Sequence, residues 1–148
     1  MNISESILSH QDFCYFLAKI MTKIDEYPSC KKLLLSGIHL IGQDDLRHGL
    51  DDLRNALEML LKDLLQNNLS IERQSQKKIS ELLLKNGWEE TMLALWPMTM
   101  KYFKRYQNSH VKHDDGSNIT EQDAELILVQ ALQLIMCLVC KKQKKEDQ

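Results

Sequence analysis

The chain has 148 residues, of which 27% are charged, and its net charge is −2 with a pI near 6.2. This length is typical of one domain with its own apolar core. The small negative charge argues against attraction to nucleic acid over the whole surface, so any such binding has to come from a local patch. Two prolines and five glycines leave little room for the many turns of a β fold. We therefore predict an all-α protein, a compact bundle of about five to six helices.

The first 42 residues are predicted to form an N-terminal helical segment that packs on the bundle. Apolar residues at helical spacing predict a first helix over residues 4–26, which Pro28 closes. Residues 29–41 favour either a short helix or an irregular link, punctuated by Gly37 and Gly42. The bundle itself is expected over residues 43–142, followed by a basic, disordered tail.

The clearest helical pattern runs from residue 44 to residue 66. Its leucines alternate steps of four and three and so form one apolar stripe, made of Leu46, Leu50, Leu53, Leu57, Leu60 and Leu64. The opposite face is polar and charged. We therefore predict a bundle helix that faces the core rather than a free coiled coil, which needs more length.

Two more helices are predicted between residues 70 and 106. Ser70 is placed to cap the first of them, and Asn86 with Gly87 ends it. The second runs from residue 88 toward residue 106. It contains Pro97, which is expected to kink or split it because proline removes a backbone donor and clashes with the preceding turn.

The last predicted helix covers residues 121–142. A turn at residues 114–118 precedes it, and Thr120 with Asp123 resembles a capping box. The apolar stretch over residues 124–140 is interrupted by polar side chains and is short for a bilayer. It therefore indicates a central core helix and no membrane association.

The four cysteines, Cys14, Cys30, Cys137 and Cys140, are expected to be reduced. The opening sequence MNISES has neither the basic nor the apolar region of a signal peptide, which favours a cytoplasmic protein. Cys137 and Cys140 form a CxxC pair inside an apolar helical pattern, and no second pair or nearby histidine completes a zinc site. Buried structural thiols are the favoured interpretation over metal or redox use.

Residues 101–113 contain no acidic side chain, which is a marked asymmetry in an acidic protein. Cations alternate there with aromatic residues: Lys101, Tyr102, Phe103, Lys104, Arg105, Tyr106, His110, Lys112 and His113. The cations can attract phosphates, and the aromatic rings can stack on unpaired bases. The alternative is a solvated charged face whose aromatic rings turn inward to the core.

Arg105 and His110 are five positions apart within this stretch and supply two groups suited to phosphodiester cleavage. Histidine can remove the proton of an RNA 2′-hydroxyl or protonate the leaving 5′-oxygen, and arginine can stabilise charge on the phosphate. A symmetric dimer would bring two such sets into one cleft. His113 lies three residues after His110, a spacing that could place both histidines on one helix face for metal binding. No other histidine is near in sequence, and a structural or capping role for one of the two is at least as plausible. No metal or other cofactor is therefore expected.

An arginine, four to six residues and then a histidine at the end of a helix is the hallmark of the HEPN superfamily, the higher eukaryote and prokaryote nucleotide-binding domains. Arg105-YQNS-His110 resembles this motif. The helix order over about residues 44–140 is similar as well: a long amphipathic helix containing LRNALE, the motif, a KHDDG turn and a final apolar helix. The C-terminal domain of abortive-infection proteins is the most similar branch. The family usually has a polar residue directly after the arginine, where this chain has Tyr106, with Asn108 two positions later.

The resemblance implies a metal-independent endoribonuclease, a homodimer that acts in phage defence or as a toxin on tRNA or mRNA, with an antitoxin or another defence protein as a possible partner. It implies that Arg105 stabilises the scissile phosphate and that His110, with His113 as the alternative, is the acid or base. Lys101, Lys104 and Lys112 would hold the RNA backbone. Tyr106 and Asn108 complete the predicted RNA-binding residues.

Two other functions remain open from the sequence. One is a non-catalytic module that binds RNA, a nucleotide or a protein in a defence or regulatory system. The other is a helical dimerisation or adaptor protein. Strongly salt-dependent RNA binding distinguishes the module from the adaptor.

Overall fold

The structure is a computed structural model that describes residues 10–112 and 118–141. It is 84% helical, with six α-helices and no strand in the described part of the chain, which confirms the predicted all-α bundle. The start of the first predicted helix, His113, most of the predicted turn at residues 114–118 and the predicted tail lie outside the described residues.

The helices are α1 (His10–Lys23), α2 (Pro28–Gly42), α3 (Leu46–Leu65), α4 (Gln76–Lys85), α5 (Glu90–Tyr106) and α6 (Glu121–Val139). Two short 3₁₀ turns, Ile24–Glu26 and Ile71–Arg73, precede α2 and α4. A wider π turn, Gln107–Lys112, continues α5 directly. Every described residue of the cationic stretch therefore belongs to one continuous helical segment.

Residues 29–41, for which either a short helix or an irregular link is predicted, belong to the full helix α2. Pro28 occupies the first turn of α2, where its missing N–H has no helical partner to lose. The prediction that Ser70 caps the fourth helix was wrong: Ser75 does so, its hydroxyl accepting from the Lys78 N–H at 3.3 Å. The chain first forms the Ile71–Arg73 turn, which buries the Ile71 side chain in the core.

The predicted boundaries of the later helices hold with small changes. Gly87 follows α4 with a φ of 89°, the left-handed conformation that favours glycine after a helix. Pro97 lies inside α5 without splitting it. The Thr120 hydroxyl accepts from the Asp123 N–H at 3.1 Å and so caps α6, as predicted. α6 ends at Val139, a turn earlier than expected.

The core lies between α3 and α6. The predicted leucine stripe of α3 is confirmed, because its central members, Leu50, Leu53, Leu57 and Leu60, are completely buried. α2 packs along α3 more extensively than any other pair of described elements does, so α2 is an integral part of the bundle. α6 contacts α3, α1, α5 and α4 and buries eight of its nineteen residues.

The C-terminal end of α6 is held by the connection between α4 and α5. The Asn86 side-chain amide donates to the backbone carbonyl of Leu138 at 2.9 Å, and the Trp88 indole N–H donates to that of Cys137 at 3.0 Å. These bonds satisfy carbonyls that have no helical partner. α6 also has the length and hydropathy of a membrane span, a property that the core helices of soluble proteins share.

Candidate active site

The cationic stretch begins in the C-terminal part of α5, where Lys101 and Arg105 are turned away from the core. Met100 and Phe103 are buried, which orients this end of the helix. Lys101 and Arg105 are exposed, four residues apart and therefore on one face, and Lys104 is half-buried. Positive charge at this end is also favoured by the helix dipole. The structure thus presents Arg105 and Lys101 together to solvent.

The three aromatic side chains of the stretch differ in how far they are exposed to solvent. Phe103 is completely buried and Tyr106 is only 9% exposed, whereas Tyr102 is 44% exposed. The Tyr102 and Tyr106 rings are tilted neighbours with centroids 6.5 Å apart. The prediction that Tyr106 contacts RNA needs correction, because its ring is part of the core. Tyr102 is the ring of this stretch that can stack on a base.

Tyr106 joins the end of α5 to the start of α6. Its hydroxyl experiences the negative charge of Asp123, in the first turn of α6. Burial raises the pKa of Tyr106 to about 12, and the negative charge of Asp123 contributes to the shift. The phenol therefore stays protonated at neutral pH.

The π turn after Tyr106 packs against α3 and α5. Its first residue, Gln107, is completely buried, and its side-chain amide donates to the Leu50 backbone carbonyl of α3 at 3.1 Å. The amide nitrogen has to face Leu50, because only a donor can pair with a carbonyl oxygen. This bond ties the segment between Arg105 and His110 to the central helix of the fold.

The backbone of His110 lies in the π turn, within the same helical segment as Arg105. Asn108 is half-buried, and the Lys112 backbone ends the turn. His113 is outside the described residues. The choice between the two histidines, and the RNA contacts assigned to Asn108 and Lys112, stay predictions.

The described residues contain no group of three or more histidine, cysteine, aspartate or glutamate side chains placed to hold a metal ion. The four cysteines are free. Cys30 and Cys137 are buried, and burial raises the pKa of the Cys30 thiol to about 12 and also raises that of Cys137. Cys137 is buried, as predicted, whereas Cys140 is half-buried.

Sequence reasoning missed Gln107 as a residue of this site. A signal was present: Trp96, Met100, Phe103 and Gln107 follow one another at steps of four, three and four and are all buried. This spacing places a glutamine on the core-facing stripe of the helix. A polar residue on an apolar stripe indicates a specific hydrogen bond.

No protein-family model, curated protein or solved structure matches the chain. The resemblance to HEPN domains stays a prediction based on the motif and the helix order.

Proposed function

We propose that the protein is a metal-independent endoribonuclease of the HEPN type, acting as a toxin or phage-defence effector. The observation that carries this proposal is the exposed pair Lys101 and Arg105 at the end of α5, in the helical segment that continues through the backbone of His110. A fixed guanidinium charge and a histidine that exchanges protons near neutral pH are the groups that such cleavage needs.

The proposed reaction uses the nucleophile that RNA itself carries. The 2′-hydroxyl gives up its proton to a base and its oxygen bonds to the adjacent phosphorus, while the bond from phosphorus to the 5′-oxygen breaks and that oxygen takes up a proton. The products are a 2′,3′-cyclic phosphate and a 5′-hydroxyl. His110, or His113 as the alternative, transfers protons, and Arg105 stabilises the charge on the phosphate.

RNA binding is assigned to the cations that flank the motif. Lys101, Lys104 and Lys112 neutralise backbone phosphates, and the exposed Tyr102 ring offers a stacking surface in place of Tyr106. A homodimer would supply a second Arg105 and His110, and sedimentation of the active sample measures whether the cleaving species is a dimer.

The test is cleavage of pooled tRNA and a long single-stranded RNA in the presence of EDTA. We expect cleavage that resists EDTA, yields cyclic-phosphate ends and is lost in Arg105→Ala and in His110→Ala, with His113→Ala run alongside to identify the histidine. Arg73→Ala and His39→Ala are matched controls, since both residues are exposed and lie outside the cationic stretch. Cleavage retained in an Arg105→Ala, His110→Ala double variant would defeat the proposal.

A non-catalytic binding module is the second candidate. It is favoured by an exposed apolar stripe on α5, where Leu95, Met98 and Tyr102 follow at helical spacing and Met98 is 70% exposed. A folded wild-type protein that cleaves neither RNA would favour this function.

A further inference from the structure

Gln107 is a buried polar residue whose hydrogen bonding is incomplete. Its Nε2 donates to the Leu50 carbonyl, but its Oε1 has no hydrogen-bond partner within the described part of the chain. The two other buried polar residues there, Gln74 and Asn86, each make several side-chain hydrogen bonds that hold a connection in place. An unpaired buried amide oxygen costs stability, so a role beyond packing is the natural explanation for an amide here.

The position of Gln107 in the chain suggests that role. It lies between Arg105 and His110 and is the first residue of the π turn. In a regular α-helix, residues five apart differ by about 140° around the axis, because each turn has 3.6 residues. A π turn bonds residue i to residue i+5, which brings the fifth residue closer to the side of the axis on which the first one lies. The change of helix type therefore reduces the angle between the backbone positions of residues 105 and 110.

The hydrogen bond to Leu50 is made by the residue at which this change of helix type begins. Leu50 is completely buried in α3, so its carbonyl is a rigid reference point in the core. An apolar side chain at position 107 would fill the same space but would leave the segment free to return to α-helical geometry. Residue 110 would then move around the axis relative to residue 105.

We propose that Gln107 is a positioning residue for RNA cleavage: its bond to the Leu50 carbonyl holds the π turn in the geometry that aligns residue 110 with Arg105. This inference rests on the proposed ribonuclease function. It assigns Gln107 no contact with the RNA. Its loss is therefore expected to slow the chemical step without weakening substrate binding, because small displacements of reacting groups reduce rates strongly.

The test compares Gln107→Met with Gln74→Met. Both changes replace a buried, hydrogen-bonded glutamine by an apolar side chain of similar length, and only Gln107 belongs to the cationic segment. At a temperature where circular dichroism shows both variants folded, we expect kcat to fall about tenfold or more in Gln107→Met, with KM within about twofold of wild type. Gln74→Met is expected to keep the wild-type kcat. Gln107→Asn is the second variant, since it keeps the amide but is too short to reach Leu50.

The outcomes separate this inference from the function on which it rests. Cleavage by wild type with an unchanged kcat in folded Gln107→Met or Gln107→Asn would overturn the positioning role alone. Equal losses in Gln107→Met and Gln74→Met, or failure of both position-107 variants to fold, would assign Gln107 to stability only and overturn it as well. A folded wild type without any cleavage would remove the ribonuclease function and this inference with it.

Discussion

Tyr106 offers a test at the scale of one residue, because burial and Asp123 both favour its protonated form. Its pKa is raised from 10.0 to about 12 in the folded chain. For a group whose folded pKa is raised, the stabilisation is complete below the unfolded pKa and is lost as pH rises through the folded pKa. Tyr106 therefore contributes its full share of stability below about pH 10 and loses it between about pH 10 and 12.

We predict that Tyr106→Phe gains stability relative to wild type as the pH is raised above 10, because phenylalanine has no proton to lose whereas the tyrosine of the unfolded wild type ionises there. Below about pH 10 the difference between the two free energies of unfolding should not depend on pH. Urea unfolding of both proteins at a series of pH values measures it. The raised pKa values of Cys30 and Cys137 affect both proteins alike and cancel in the comparison. A difference that stays constant up to the highest pH would contradict the assignment.

At the scale of helices, the crossing of α2 and α3 depends on two glycines. A Cβ atom on Gly49 would lie 2.7 Å from the Ile41 Cγ1 atom and 2.9 Å from the Gly37 carbonyl oxygen. A Cβ on Gly37 would lie 2.9 Å from the Gly49 carbonyl oxygen. Because each glycine faces the backbone of the other helix, any larger residue forces the helices apart.

Gly49→Ala is expected to lower the free energy of unfolding by about 1–3 kcal/mol, the usual cost of overpacking, although alanine is the better helix former. Gly42→Ala is the matched control, since a Cβ there meets nothing within 4 Å and its backbone is not left-handed. It should leave stability unchanged or slightly raised. Chemical denaturation measures both, and equal midpoints for the two variants would show that the crossing tolerates a methyl group.

These glycines also show where sequence reasoning reaches its limit. The sequence predicts that Gly37 punctuates a short helix or an irregular link, but this glycine lies inside the full helix α2. A missing side chain gives the same sequence pattern whether it ends a helix or permits a close crossing. The buried stripe of α3 could be predicted, since leucines repeated at helical spacing are sufficient to identify the face of a helix that packs into the core. The inward orientation of the Tyr106 ring could not be predicted, because an aromatic ring beside cations suits both a core and a binding face. The packing of α6 decides between them. Ser70 and Ser75 are equally suited to cap the fourth helix by residue type. Because the chain forms the Ile71–Arg73 turn first, the helix begins after Ser75.

At the scale of the whole molecule, the charge is close to balanced, so the proposed RNA binding has to depend on position rather than on total charge. The chain has 19 lysines and arginines against 21 acidic residues. A comparable group of cations, Lys77, Lys78 and Lys85, is exposed on α4. This second group allows the effect of local charge to be separated from that of net charge.

We predict that replacing Lys101, Lys104 and Arg105 together by glutamine weakens binding of single-stranded RNA and makes it less dependent on salt. Each phosphate contact contributes a slope of about −0.7 to the plot of log binding constant against log salt concentration, so three contacts account for about −2. Replacing Lys77, Lys78 and Lys85 by glutamine removes the same net charge but should leave the slope unchanged. Fluorescence anisotropy with a 2′-O-methylated RNA measures both variants without cleavage, because the nucleophile is blocked. Equal slopes for the two triple variants would mean that net charge governs binding, and no binding by wild type at low salt would favour the adaptor function over both RNA-binding proposals.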